Sequence, residues 1–586
     1  MQDARCRIKH ESWIMHRVSF IVMKKNWELE KQNPRLVEKL AKSLGIKPVT
    51  AQVLINRGIR NEVEAEQFLN SSLFDLPSPY LLKDMDKAVD RIRGAIQRVE
   101  KIAIYGDYDV DGITSTAILY LFLKNLGANV IYYNPDRLKE GYGVNIDAIQ
   151  KLKNEGVSLI ISGDCGITAH AEVIEAKKLG IDFIITDHHE PPDVLPEAAA
   201  ILNPHQQGCI YPGKEIAGVG VVFNLVVALR RSLRDSGFFE SGEPNLGEYL
   251  DLVALGTVSD CASLRNVNRI FVKEGIKRLS NAKRLGIIAL KEVSGTKSKV
   301  DTYDIGFRLG PRVNASGRLN SASLAVKLFI SNDIKKAREL ASILNNENSK
   351  RQTIEGKIIN DIISQVKASP TVLDMNALVF ASSDWHQGVI GIVASKLVEM
   401  YQKPTVIISI QEEGIGKGSA RSVEGINIYD ALSKCNDLFE QFGGHELAAG
   451  LNIRVEKIDE FRNRFERAVN EALGDYTSKL RIDSALDLSG VTESLISELD
   501  LLSPFGIGNP EPVFIATSVD VASQRLLKDR HLGLKLNDNN RIYDAIWFNP
   551  KEPVTVPNKI DIVFTPEFNE WNGKKSIQLK VKDIDW

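Results

Sequence analysis

YGDYDVDG (residues 105–112) places Asp107, Asp109 and Asp111 on alternate positions and closes on Gly112. The spacing matches the start of a calcium-binding EF-hand loop, which then requires a bidentate glutamate at position twelve. Counted from Asp107, position twelve is Ile118. The flanks also differ from an EF-hand, whose loop follows a helix. KIAIY (101–105) is a short apolar, β-branched run of the kind that forms a buried strand, and ITSTAILYLFLKNLG (113–127) reads as a helix ending at Gly127. The three carboxylates therefore fall on a strand-to-helix turn. Taken alone, such a turn is as often a solvated acidic loop as a site.

Outward from this turn the chain alternates. NVIYYNP (129–135), LIISG (159–163) and DFIIT (182–186) are further apolar strands, separated by helical stretches such as NIDAIQKLKNEG and AEVIEAKKLG. Strands alternating with helices of this length predict parallel βαβ units in a doubly wound sheet over 96–320. Residues 1–95 read as an N-terminal extension followed by short helices. Residues 321–367 read as a connecting helix, with Ile354, Ile358, Ile362 and Val366 recurring every four positions; two ordinary packed helices are the alternative. A second α/β block is expected over 368–455, with glycine-bearing turns at HQGVIG, GIGKGSARS and FGGHELAAG. From 456 to 586 a helical lead-in gives way to many short strands with polar turns, which suits a small β-barrel.

Composition excludes several classes. With 586 residues, 43% hydrophobic and 26% charged, the chain is long enough for several globular domains and carries no sign of bulk disorder. A formal charge of −2 offers no global attraction for a polyanion, so any nucleic acid must meet a local basic patch. Five scattered cysteines without C-x-x-C spacing predict reduced thiols, as in the cytoplasm, rather than disulfides or zinc. The apolar patch at Val18–Met23 is too short for a signal peptide, and no membrane span is expected.

In an open parallel sheet, ligands bind beyond the carboxyl ends of the strands. There the sequence sets Asp107, Asp109 and Asp111 after KIAIY, Asp164 after SLIISG, Asp187, His188 and His189 after DFIIT, and Asp260 after DLVALGTVS, read as another strand. Each aspartate alone is well explained as a helix cap. Together, five carboxylates converging on one crevice would repel one another unless cations neutralised them. Oxygen ligands with one or two imidazoles suit Mn²⁺ or Mg²⁺. Two such ions roughly 3.5–4 Å apart are a known device for attack on phosphate esters.

YGDYDVDG, the GDCG aspartate, TDHH and the later Asp260 resemble, in order, the motifs of the DHH phosphoesterase superfamily. RLGPRVNASGRL (308–319), WHQGVIGIVASKL (385–397), GKGSARS (416–422), FGGHELAAG (442–450) and SPFGIGNPEPVF (503–514) look like the RecJ-type single-strand-specific exonucleases within it. The resemblance runs from about residue 75 to the C-terminus. It implies a DHH phosphoesterase domain, a DHH-associated α/β domain and a C-terminal OB-fold. It implies Asp109, Asp111, Asp164, His188 and Asp260 as ligands of two ions, with Asp164 bridging. Asp107 is then a ligand or a nearby base, Asp187 orients an imidazole, and His189 contacts the scissile phosphate or assists the leaving group.

DHH chemistry alone would also fit a small-molecule phosphoesterase, which would not need the later blocks; a non-catalytic relative would be expected to have lost ligands. GKGSARS supplies glycine amides, a hydroxyl and a guanidinium, a natural phosphate cradle whose bland alternative is an ordinary hairpin. The resemblance implies that Ser419 and Arg421 bind the 5′-terminal phosphate of a DNA strand, with Arg137, Tyr142, Arg312 and Arg318 as further substrate contacts and His386 and His445 facing the cleft. In the last block, Tyr543, Trp547, Phe548, Phe568 and Trp571 among basic residues are candidates for base stacking, though at least half of them read as core. The expected activity is metal-dependent 5′-to-3′ release of mononucleotides from single-stranded DNA by a monomer in the cytoplasm. Kinship implies a role in repair and recombination, with helicase and single-strand binding protein as partners.

Overall fold

The computed structural model describes residues 26–586 apart from 136–139, 142, 241, 320–321, 474–478, 529, 551–554 and 572–573. Five parallel strands form the first sheet, in the spatial order Val130–Tyr133, Lys101–Gly106, Val157–Gly163, Asp182–Thr186, Ala200–Leu202. The chain reverses direction across the sheet between the second and third of these. The crevice at that switch point is where side chains just beyond the strands converge. Asp107 and Asp164 flank it, with the Asp107 amide donating to the Gly163 carbonyl at 3.3 Å. The Ala200–Leu202 strand is only three residues long within a short apolar run and was not expected.

DLVALGTVS is a helix (Leu250–Ser259) rather than a strand, and Asp260 is its C-terminal cap. Every residue from Leu250 to Thr257 is buried. An apolar run enclosed on all sides carries no periodicity that separates helix from strand. The helix packs with Val110–Asn125 and Gly218–Asp235, and so still delivers Asp260 to the crevice.

After the short helix Ser323–Phe329, a single 35-residue helix, Ile334–Ala368, leaves this domain. Its first half (Ala337, Leu340, Ala341, Leu344) belongs to the first core, and its second half (Ile358, Ile359, Ile362, Val366) packs beneath the second sheet. That sheet runs Phe439–Gly444, Ala448–Arg454, Ile415–Arg421, Thr405–Ile410, Leu378–Ser382 and is antiparallel except for its last pair. GKGSARS, expected as a turn, is a strand paired on both sides. The helix Ile458–Leu473, expected as a lead-in to the last domain, packs its Phe461, Phe465 and Val469 into this second core.

The C-terminal strands Phe514–Leu527, His531–Asp538, Arg541–Phe548, Lys574–Asp585 and Lys559–Trp571 are hydrogen-bonded in that order, and the last pairs back to the first. Arg541–Phe548 runs parallel to Lys574–Asp585. This is the five-stranded Greek-key barrel of an OB-fold. The N-terminal region divides between domains. Val53, Leu54, Ile59 and Ala65 lie in the barrel's core, and Asn26–Leu29 is a strand parallel to Lys479–Ile482 in a region expected to be mainly short helices. Met85, Val89 and Ile92 join the core of the first domain. No helix among the described residues is long and apolar enough to cross a membrane.

Candidate metal centre and phosphate groove

Backbone amides hold two of the crevice carboxylates, those of Asp109 and Asp111. Asp109 caps the helix Val110–Asn125, accepting from the Gly112 amide at 3.0 Å. Asp111, 1% exposed, accepts from the amides of Gly218 (2.7 Å) and Val219 (2.8 Å) at the start of Gly218–Asp235. The positive end of that helix fixes both of its oxygens. Asp164 sits at φ +66° with its amide bonded to the Thr186 carbonyl. Its Oδ1 lies 3.2 Å from His188 Nε2, which is itself 3.7 Å from Asp260 Oδ2 and 4.0 Å from Asp111 Oδ2.

These groups suit a cation better than they suit one another. Asp164 Oδ1 and His188 Nε2 are buried and make no hydrogen bond, a costly arrangement without a further partner. Burial pushes the Asp111 and Asp164 carboxyls well above the usual range, and their neighbouring carboxylates add to the shift. Burial, then Asp109, pushes Asp260 up to about 7. Burial and the adjacent His189 push His188 down to about 4, keeping its imidazole neutral and able to bind metal. Two sets of donor atoms lie within 4.8 Å of one another: Asp107, Asp109 and Asp164 in one, Asp111, His188 and Asp260 in the other. Asp164 also groups with His188 and His189, so it stands between the two sets.

Asp187 plays a different part. It is 1% exposed; Oδ2 accepts from the Ile167 amide (2.9 Å), and Oδ1 accepts from the amides of His188 (2.7 Å) and His189 (3.1 Å) and contacts His189 Nδ1 at 2.7 Å. Burial alone would raise its pKa, but the His189 bond and charge outweigh it and hold the carboxyl low. In return Asp187 holds His189 protonated up to about 9 against the effect of burial. Asn203, which donates to the His189 carbonyl at 2.8 Å, completes the support. Asp187→Asn removes the charge and sets an NH2 against the Ile167 amide that Oδ2 accepts, so it is expected to lower activity about tenfold to a hundredfold and to cost about 1–3 kcal/mol of stability. Steady-state rates beside thermal melts check this.

A groove of about 500 Å³ opens between the two α/β domains. Tyr108, which separates Asp107 from Asp109 in the chain, lines it together with Arg318, Gly391, Ser419, Arg421 and Phe442. Arg421 donates to Ser419 Oγ at 3.1 Å, and a Cβ at Gly391 would stand 3.0 Å from that oxygen, so the helix Ile390–Tyr401 begins at the hydroxyl. Arg318 reaches across the groove to the Gly388 carbonyl at 3.1 Å. The remaining candidates lie elsewhere. Arg312 is bound to Asn345 Oδ1 and the Arg308 carbonyl, His386 Nδ1 accepts the Gly388 amide, and His445 is exposed on the hairpin of the second sheet. None of the three lines the groove. Arg137 and Tyr142 fall outside the described residues, as does the side chain of Trp571.

In the barrel, Tyr543 is 3% exposed and belongs to the core, so it cannot stack a base. Trp547 and Phe568 pack partly against that core, and Phe548 is 45% exposed. Sequence reasoning missed the amides of Gly218 and Val219, Asn203 and Asn314, whose Oδ1 accepts from the Val110 amide at 3.1 Å.

Comparison with known proteins agrees with this layout. The DHH family N-terminal domain matches residues 101–257, the DHHA1 domain 374–471 and the RecJ OB domain 482–583. The single-stranded-DNA-specific exonuclease RecJ of Bacillus subtilis is 39% identical over 572 residues, covering 96% of this chain and 71% of the relative. RecJ of Escherichia coli is 36% identical over 557 residues, covering 92% and 96%. The crystal structure of RecJ in complex with Mn²⁺ from Thermus thermophilus superposes with a TM-score of 0.82 at 30% identity, covering 96% of this chain and 79% of that one. The Mg²⁺ complex gives a TM-score of 0.74 at 27% identity, covering 95% and 78%.

Proposed function

The chain belongs to the RecJ family of single-stranded-DNA-specific exonucleases, and from that membership we propose that it hydrolyses single-stranded DNA from the 5′ end, releasing mononucleotides. The observation that carries this reading is continuity. Tyr108, the residue between Asp107 and Asp109 of the carboxylate centre, lines the same groove as Ser419, Arg421 and the start of a helix. Backbone amides at a helix start, a hydroxyl and a guanidinium together grip a phosphate.

Asp107, Asp109 and Asp164 would hold one divalent cation and Asp111, His188 and Asp260 the other, Asp164 being close to both sets of donors. With Mn²⁺ or Mg²⁺ bound, the site would supply water activation and positive charge for phosphoester hydrolysis. Asp187 keeps His189 oriented and protonated, where it contacts the scissile phosphate or donates to the leaving oxygen. Ser419 and Arg421 hold the terminal phosphate, and Arg318 braces the groove between the two domains. Selectivity for one strand is then steric and electrostatic, with no reading of base edges. On the same kinship the enzyme works as a cytoplasmic monomer in repair and recombination, alongside a helicase and single-strand binding protein.

The test is release of 5′-labelled nucleotide from single-stranded and blunt duplex DNA in Mn²⁺, Mg²⁺ and EDTA. Metal-dependent release from the single strand alone is expected; equal cleavage of the duplex would sink the reading. Arg421→Ala is expected to raise KM about tenfold for 5′-phosphorylated strands and little for 5′-hydroxyl strands, the scale of one charge-assisted hydrogen bond. Equal losses on both substrates would move the phosphate grip elsewhere.

A further inference from the structure

One stretch of helix, Asp304–Leu319, runs from the groove past the Asp109–Asp111 turn to the neighbour of Asp260. At its end Arg318 reaches Gly388 in the phosphate groove. In its middle Asn314 caps Val110 between two candidate ligands, Asp109 and Asp111, and Gly317 lies so close to the Tyr108 carbonyl that a Cβ would stand 2.4 Å from it. Gly310 lies against Ser259, the neighbour of Asp260. At its start Thr302 Oγ1 donates to the Phe505 carbonyl at 2.7 Å, tying the helix to the segment that leads into the barrel.

At that starting end Tyr303 and Phe307 stack on each other, ring centroids 4.8 Å apart and planes 27° from parallel. They are nevertheless 58% and 70% exposed. Two rings left in water forgo the burial that normally justifies them. Phe307 lies in, and Tyr303 immediately precedes, the turn Asp304–Leu309, which is π-helical, a rare conformation that clusters at functional sites. Arg308, held by Asp304 at 2.8 Å, places its guanidinium 6.0 Å from the Tyr303 ring centre. Phe307 stands three residues before Gly310, whose neighbour Ser259 adjoins Asp260.

We propose that Tyr303 and Phe307 are a stacking platform for nucleobases of the single strand, on the 3′ side of the scissile phosphate between the metal centre and the barrel. The inference rests on the function proposed above, since a 5′ end seated at Ser419 and Arg421 sends the rest of the strand past Asp260 toward this end of the helix. Aromatic stacking tolerates any base, as a non-specific exonuclease requires. Arg308 adds a positive charge beside the rings.

The test is an abasic scan. KM is measured in Mn²⁺ for 5′-phosphorylated strands in which a single abasic site is moved one nucleotide at a time. Wild type is expected to show a rise of about tenfold at one or two adjacent positions, the scale of losing one stacked base. The Tyr303→Ala/Phe307→Ala double variant is expected to show a raised KM on the intact strand and no further rise at those positions, while Tyr303→Phe keeps the wild-type profile. A flat wild-type profile, or a double variant that keeps the same rise, would overturn the platform. Failure of wild type to cleave the intact strand would instead overturn the exonuclease reading itself.

Discussion

Asp164→Asn is expected to lower the rate on single-stranded DNA by about a thousandfold or more, the rate equivalent of losing several kcal/mol of charge stabilisation in the transition state. Asparagine is the informative replacement because Asp164 sits at φ +66°. Asparagine tolerates that left-handed backbone, whereas alanine would add strain to the loss of charge. The stability effect should run the other way. Burial and the charges of Asp111, Asp109 and Asp260 all disfavour the ionised Asp164 carboxyl, so in EDTA at neutral pH the variant should melt no lower than wild type. In Mn²⁺ wild type should gain stability, about 2.7 kcal/mol at a hundred times the dissociation constant, and the variant much less. Thermal melts in both conditions, beside rates, decide the matter. A variant less stable than wild type in EDTA would show that the carboxylate is part of the scaffold.

The contrast between Asp164 and Asp260 shows what the sequence could and could not disclose. Asp164 follows LIISG, a short β-branched run bounded by glycine, and strand and crevice were both legible. Asp260 follows nine residues with equally apolar character that form a helix. Length and composition could not separate the two, because an element buried all round has no solvent face to impose a period. The site was still located, since either element ends where its aspartate is needed. The GKGSARS segment failed differently: its glycines look like a turn, yet each strand neighbour pairs with it, and a Cβ at Gly418 would stand 2.6 Å from Leu451 Cδ1. There glycine marks close packing over a strand. The aromatic residues of the barrel show the remaining limit. Alternation in a strand says which residues share a face, but only closure of the barrel put Tyr543 inside.

Gly218→Ala is expected to cost about a hundredfold in kcat/KM although glycine has no chemistry to lose. A Cβ there would stand 2.7 Å from Asp164 Oδ1, 2.9 Å from Asp164 Cβ and 3.0 Å from Asp111 Oδ2. Contacts that short force a movement. Either the helix start retreats, stretching the amide bonds from Gly218 and Val219 to Asp111, or Asp164 swings from its place beside His188. Both routes displace a ligand by a fraction of an ångström to an ångström, and misplacement on that scale costs about 10²-fold in rate. Helix stability opposes none of this, because alanine is the better helix former at the first turn of Gly218–Asp235. The fold should therefore survive, and Mn²⁺ affinity, read by calorimetric titration, should fall about tenfold to a hundredfold. Wild-type affinity and rate in a folded Gly218→Ala protein would mean that the helix start yields without disturbing Asp111, and that its two amides do not set the geometry of the centre.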